Sequence, residues 1–105
     1  MENKTNEKLH YFRDTLNASL GNNVKKVVLF GSRARNESHE GSDFDFLIIL
    51  KNKTGEDINT IRDIEVDFLD RFDQLCSSIV YEEAEWKERS NLPLYINIER
   101  EGVPL

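Results

Sequence analysis

The sequence has a single cysteine and only two prolines, and no apolar run approaches the length of a membrane-spanning helix. One cysteine cannot form an internal disulfide, so Cys76 favours a reducing, cytoplasmic setting and is expected to be a small core residue. A bilayer span needs about 20 apolar residues, so no membrane segment is predicted. The polar N-terminus also lacks the apolar core of a signal peptide. We expect one domain over residues 1–105.

Positive charge is the scarcer sign, with 14 basic against 20 acidic residues and a net charge of −6. Residues 24–35 nevertheless carry four basic residues and no acidic one, whereas residues 36–105 carry seven basic and seventeen acidic residues. Such an acidic body argues against a broad nucleic-acid-binding face. The local basic segment suits a small anionic ligand, and the rest suits a protein partner with a basic face.

The stretch from Val24 to Leu50 organises the chain. It begins with an apolar β-type run, continues through the turn Gly31-Ser32 into a basic segment, and ends in a second apolar run that opens with Asp-Phe-Asp. Side chains alternate faces along a strand, so Asp43 and Asp45 are expected to point the same way. Two neighbouring carboxylates repel each other, and a hard cation such as Mg²⁺ removes that penalty. Asp43 and Asp45 are therefore predicted metal ligands and catalytic residues.

The turn supplies the complementary half of a phosphate site. A glycine permits close approach of the backbone to a ligand, and the Ser32 hydroxyl can donate to the same anion. Gly31 and Ser32 are therefore predicted to bind phosphates, and Arg33 is predicted to neutralise their charge. Each piece alone is more often structural, but their order of strand, turn, spacer, acid pair and strand favours nucleotidyl transfer from a nucleoside triphosphate.

The spacing resembles a family signature. Gly31-Ser32, ten residues and then Asp43-x-Asp45 resemble the minimal nucleotidyltransferases of the DNA polymerase β superfamily. The resemblance extends more weakly to the tail of the chain. It implies a polymerase β-like nucleotidyltransferase fold and a Mg²⁺-dependent enzyme that transfers a nucleoside monophosphate, AMP from ATP, to a partner macromolecule. It also implies a helical HEPN-type protein as partner, in a toxin-antitoxin pair.

The family usually has a third carboxylate on the strand after the crossover helix, and two placements are open here. Asp67 fits the local pattern, but a helical apolar stripe at Ile61, Ile64 and Phe68 leaves Asp67 off it. A strand beginning at Ile64 would also leave a crossover at the limit of the required length, since such connections need roughly a dozen residues or more. We prefer a helix through this stretch, which puts Ser78, or else Ser77, at the third-acid position.

The remaining pattern predicts an α+β fold, with helices packed on a small mixed sheet. A stripe of apolar residues predicts a first helix from Asn6 to Leu20, capped by Thr5 or Asn6 and ended by Gly21. The further predicted elements are strands Val24–Phe30 and Asp43–Leu50, helix Asp57–Asp73, strand Leu75–Tyr81, helix Glu82–Arg89, and a last helix from Pro93 to about Glu101.

Three functions follow from these observations. The first is the nucleotidyltransferase. The second is a non-catalytic regulatory subunit that binds nucleotide and partner and has lost the third carboxylate, which a serine at position 77 or 78 would support. The third is polymerase-like transfer to nucleic acid, which the acidic charge disfavours. The first two differ in whether any carboxylate completes the site beside Asp43 and Asp45. Glu82 or Glu83 is a further candidate for that role.

Overall fold

The structure, a computed structural model, describes residues 3–35 and 43–105. His39 and the rest of the predicted spacer at 36–42 lie outside the described residues. The elements are α1 (Asn3–Leu20), a 3₁₀ turn (Gly21–Asn23), β1 (Val24–Phe30), β2 (Phe44–Leu50), α2 (Gly55–Phe72), β3 (Cys76–Glu82), α3 (Glu83–Lys87), α4 (Pro93–Glu101) and β4 (Val103–Pro104).

The four strands form one mixed sheet in the order β3-β2-β1-β4. β1 pairs antiparallel with both β2 and β4, whereas β2 and β3 run parallel and are connected through α2. Parallel neighbours need such a crossover, so placing a helix between these two strands was the correct reading of the sequence. The predicted α+β fold with a small mixed sheet is confirmed.

Two helix pairs cover the two faces of the sheet. On the α1/α2 face, the even-numbered residues of β2 pack against both helices, and Phe12 stacks on Phe46 with ring centroids 3.9 Å apart. On the α3/α4 face, Leu47 and Ile49 pack with Trp86 and Ile98. Every residue of β2 except Asp45 is buried, as expected for a strand covered on both sides.

Several predicted boundaries differ from the structure, most of them by one or two residues, and one short strand was not predicted. α1 begins at Asn3, so Thr5 and Asn6 lie inside the helix rather than capping it. Its first turn is polar, and an apolar stripe therefore carries no information about where the helix starts. α3 ends at Lys87, two residues early, since residues 88–92 form turns. β4 was not predicted, because two residues are too few to show an alternating pattern.

Gly102 lets α4 lie close to the sheet. A methyl group there would lie 2.5 Å from Val28 Cγ1 and 2.6 Å from the carbonyl oxygen of Ile98. We expect Gly102→Ala to lower the free energy of unfolding by about 1–3 kcal/mol through overpacking. Denaturant unfolding would measure this change. The matched control is Gly55→Ala, where no atom of the described residues lies within 4 Å of the added methyl group. Equal effects of the two changes would contradict the packing argument.

Candidate functional site

The turn after β1 is built around Gly31. Its φ of +80° lies in the left-handed region that favours glycine. Its carbonyl accepts hydrogen bonds from the backbone N–H groups of Ala34 and Arg35, at 3.1 and 3.2 Å, so residues 31–35 close a single helical turn. The predicted phosphate ligands Gly31, Ser32 and Arg33 therefore lie together, directly beyond the end of β1.

Asp45 packs against this turn. β1 and β2 are in register at Phe30 and Asp45, which brings the carboxylate beside Gly31. A Cβ atom on Gly31 would lie only 2.6 Å from Asp45 Oδ2. Real Cβ atoms do not approach an oxygen so closely, and the carboxylate thus occupies space that only glycine leaves open. The predicted turn and one predicted carboxylate meet in the structure.

Ser77 is the neighbour of Asp45 on the other side. The parallel register of β2 and β3 pairs these two residues, and Ser77 Oγ donates a hydrogen bond to Asp45 Oδ1 at 3.2 Å. Side chains alternate along β2, so Asp45 lies on the same face as Leu47, which packs under α3 and α4. The site therefore lies at the rim of the α3/α4 face, where β1 ends and β2 and β3 begin.

Asp43 lies at the same rim. It is exposed and directly precedes β2, whose first residue, Phe44, donates its N–H to the carbonyl of Leu75 at 3.1 Å. Burial is the main cause of the raised pKa of the Cys76 thiol, and the carboxylates of Glu65 and then Asp43 add to it, so Asp43 lies near Cys76. Asp43 and Asp45 thus flank the start of β3, one on each side of Phe44 in sequence.

Arg33 is held by contacts of its own. Its guanidinium lies over the ring of Phe44, 4.4 Å from the centroid, and Nη2 donates to Gln74 Oε1 at 3.3 Å. The second basic residue of the turn, Arg35, forms an ion pair with Glu101 of α4 at 3.7 Å. Arg33 therefore extends toward the α1/α2 face, where Phe44 packs, and Arg35 extends toward α4, where Glu101 pairs with its charge.

None of the three candidates for a third carboxylate, Asp67, Glu82 and Glu83, lies at this rim. Asp67 lies on α2 and accepts a hydrogen bond from the Tyr11 hydroxyl of α1, which confirms the helical assignment of this stretch. Glu82 pairs with Leu50 at the other end of β3, about 16 Å along the strand from Ser77 at roughly 3.3 Å per residue. Glu83, which begins α3, lies at that same far end.

Of the two serines, Ser77 rather than Ser78 stands beside Asp45. Ser78 pairs with Phe46, on the α1/α2 face, and its hydroxyl is buried without a hydrogen-bond partner among the described residues. Ser77, the second choice for the third-acid position, therefore faces Asp45, whereas the preferred Ser78 faces away from it. Composition and periodicity cannot decide between adjacent residues, whereas the strand register does so at once, because a shift of one residue reverses the face.

Sequence reasoning also missed that α4 borders the site. A cleft of about 220 Å³ opens beside Gly31, between the motif turn and α4. Phe30 and Arg35 line it from the turn side, and Leu94 and Asn97 line it from α4. No sequence signal connects these segments, because they meet only through the packing of α4 on the sheet.

The donor set fits a magnesium ion. Within residues 3–35 and 43–105, no group of three or more histidine, cysteine, aspartate or glutamate side chains converges as a metal cage. Mg²⁺ does not require one, since it commonly takes one or two carboxylates and fills its shell with water and substrate phosphates. Asp43 and Asp45 could supply those carboxylates beside a glycine turn suited to phosphate.

Cys76 is expected to be an unreactive thiol. Burial, with smaller contributions from the Glu65 and Asp43 carboxylates, raises its pKa from 9.0 to about 12. Because the thiolate is the reactive form, alkylation by iodoacetamide at pH 8 should be on the order of 10²- to 10³-fold slower than in the unfolded protein. The folded-state rate should keep rising with pH beyond 9, where the unfolded thiol levels off. Equal rates in both states would contradict the raised pKa.

Comparison with known proteins identifies the family. The family model described as the nucleotidyltransferase domain matches residues 10–104, nearly the whole chain. The chain belongs to this family. In the described residues of this nucleotidyltransferase domain, no helix is long and apolar enough to cross a membrane.

Two relatives come from Methanocaldococcus jannaschii, and both carry provisional names as protein adenylyltransferases. The first is 32% identical over 100 residues, covering 92% of this chain and 68% of the relative. The second is 29% identical over 92 residues, covering 87% of each protein. The relatives thus align with the nucleotidyltransferase domain over nearly its whole length.

Solved structures confirm the fold. A toxin-antitoxin crystal structure with AMP-PNP superposes with a TM-score of 0.64 at 14% identity, covering 90% of this chain and 69% of the other. A provisionally named nucleotidyltransferase from Sulfolobus solfataricus gives 0.58 at 23% identity, covering 93% and 76%. A toxin-antitoxin MntA-HpeT mutant with two Asp-to-Glu changes gives 0.62 at 11% identity, covering 92% and 70%. The nucleotidyltransferase fold is therefore shared despite low identity.

Proposed function

We propose that this nucleotidyltransferase domain transfers AMP from ATP to a partner protein and requires Mg²⁺. The observation that carries the proposal is the position of Asp45, whose carboxylate lies between the glycine of the motif turn and the hydroxyl of Ser77. The names of the two archaeal relatives support protein as the acceptor, and the AMP-PNP of one structural neighbour supports an adenine nucleotide.

Asp43 and Asp45 are assigned to the metal. When bound there, Mg²⁺ would neutralise phosphate charge and stabilise the displacement at the α-phosphorus. Both side chains begin at the rim, and Asp45 is held in place by the register of three strands. A carboxylate held by a sheet needs little reorganisation when the substrate arrives, which favours catalysis.

Gly31, Ser32 and Arg33 are assigned to the phosphates. The left-handed glycine allows the backbone to turn sharply beneath the ligand, and Ser32 follows it with a hydroxyl donor. Arg33 lies over Phe44, so its charge is held near the start of β2. Positive charge at this position would offset the negative charge of a triphosphate and of the leaving pyrophosphate.

The proposed partner is a helical protein of the HEPN type, with this chain as the antitoxin of a toxin-antitoxin pair. Two structural neighbours are described as toxin-antitoxin proteins, which supports this assignment. The acidic charge of residues 36–105 suits a partner with a basic face and disfavours broad binding to nucleic acid. We place this reaction in the cytoplasm and assign it to a single domain spanning residues 1–105.

The test uses ATP labelled at its α-phosphate, Mg²⁺, the purified protein and extract of its native cells. We expect label to pass to one protein acceptor, and to be lost when Asp43 and Asp45 are both changed to asparagine. Calorimetry should show that the same double variant loses Mg-ATP affinity. The matched control is Asp63→Asn with Asp70→Asn, which removes the same charge from exposed positions on α2.

Two results would contradict the assignment. If the Asp43/Asp45 variant bound Mg-ATP as tightly as the control, these residues would not hold the metal. If label entered RNA or DNA instead of protein, the acceptor class would be wrong. Loss of transfer in both double variants would indicate an effect of overall charge and not of the site.

A non-catalytic nucleotide- and partner-binding subunit is the second candidate, and one observation favours it. Among the described residues, the side chain next to Asp45 on β3 is a serine hydroxyl and not a carboxylate. A missing carboxylate would weaken metal binding or remove a base. Mg-ATP binding without transfer of label to any acceptor would support this candidate over the enzyme.

A further inference from the structure

The side chain of Ser77 has two properties that set it apart from the adjacent serine. It is exposed, and its hydroxyl contacts the Asp45 carboxylate at 3.2 Å. Ser78 points to the opposite face and is buried. The candidate site therefore contains a hydroxyl from its own chain, fixed by strand pairing at the place where the resemblance implies a carboxylate.

A hydroxyl is also the kind of group that accepts a nucleotidyl residue. Under the proposed function, Asp45 would hold the Mg²⁺ that binds the phosphates of ATP, so the reacting α-phosphate would lie close to this carboxylate. The Ser77 hydroxyl, which donates a hydrogen bond to that carboxylate, would then lie beside the reacting phosphate. Reacting atoms held about 3–3.5 Å apart gain large rate advantages over the same groups free in solution.

We infer that Ser77 is a self-adenylylation site, an inference that rests on the proposed function. The Ser77 oxygen forms a bond to the α-phosphorus of ATP. The bond from that phosphorus to the oxygen bridging it to the β-phosphorus breaks, and pyrophosphate leaves with the electron pair. The hydroxyl proton passes to solvent water, and the product is a phosphodiester between AMP and the Ser77 side chain.

This modification would regulate the site that makes it. An AMP group on Ser77 would stand beside Asp45 and Gly31, in the space that the next ATP must enter. A modified chain should therefore bind Mg-ATP more weakly and transfer less AMP to an acceptor. Since nucleophile and site belong to one chain, the reaction is first order in protein, and each chain is modified once.

The experiment incubates the purified protein alone with Mg-ATP and follows the intact mass. We expect one added AMP group per chain, at a rate per chain that does not change on dilution, and peptide mapping should place it on Ser77. Ser77→Ala should lose the adduct, and Ser77→Thr should retain it because a hydroxyl is kept. Calorimetry on the modified protein should show weakened Mg-ATP binding.

Ser78→Ala is the matched control, since it removes a neighbouring hydroxyl that faces away from the site and has no hydrogen-bond partner in the part of the chain that the structure describes. It should retain the adduct. An adduct on another residue, or none on a protein that still labels its acceptor, would overturn the inference and leave the proposed function standing. A protein that forms no adduct, labels no acceptor and binds no Mg-ATP would overturn both.

Discussion

Replacing Gly31 by alanine is expected to reduce nucleotidyl transfer by about 100-fold while the protein remains folded. The added methyl group would lie 2.6 Å from Asp45 Oδ2, so the carboxylate must move. Displacing a catalytic group by about 1 Å can cost on the order of 10²-fold in rate. The change also strains a backbone whose φ is +80°, which costs roughly 1–2 kcal/mol of stability. Label transfer from α-labelled ATP measures the first effect and denaturant unfolding the second.

Gly21→Ala separates these two effects. Gly21 also has a positive φ, +56°, but no atom of residues 3–35 and 43–105 lies within 4 Å of the methyl group that alanine would add. It should therefore lose similar stability while keeping full activity. Equal losses of activity in the two variants would show that transfer depends on global stability, and full activity in Gly31→Ala would remove Asp45 from its assigned place.

The helices and central strands could be predicted from the sequence because buried positions recur along an element with a regular spacing of apolar residues. The stripe through Ile61, Ile64 and Phe68 identified α2 and kept Asp67 away from the site, as the structure confirms. β1 matched its predicted bounds, since apolar residues on both faces mark a covered strand. The family signature predicted that Gly31 and Asp45 belong to one site. The antiparallel pairing of β1 and β2 brings these two residues into contact.

The features that could not be predicted depend on relations between strands. Whether Ser77 or Ser78 faces Asp45 is set by a register that no single strand encodes. The pairing of Val103 with Leu29 adds a short edge strand, and its proline at position 104 fits an edge. The cleft between Gly31 and α4 likewise arises from tertiary packing alone. The residues of the motif could be identified from the sequence, but the residues that β3 and α4 add to the site could not.

Ser77→Asp is expected to raise the activity of the domain. The register places the new carboxylate beside Asp45, on the same face and in an exposed position. It would supply a carboxylate at a position where the described part of the chain has a serine, as a further metal ligand or as a base, and general-base catalysis contributes typically about 10²–10⁴-fold. We expect the transfer rate to rise at least about tenfold and the Mg²⁺ concentration for half-maximal activity to fall. Label transfer over a magnesium titration measures both.

The thermal stability of Ser77→Asp, measured with and without Mg²⁺, provides an independent test of the same prediction. Like charges directly opposite on neighbouring strands are destabilising, by roughly 0.2–1 kcal/mol, so Ser77→Asp should melt below the parent protein without metal. Added Mg²⁺ should reverse that difference, because a bound cation stabilises the folded state by mass action. Ser78→Asp is the control: it buries a charge on the α1/α2 face and should lose stability whether or not Mg²⁺ is present. If Ser77→Asp gained neither magnesium-dependent stability nor rate, residue 77 would not be the position of the third acid.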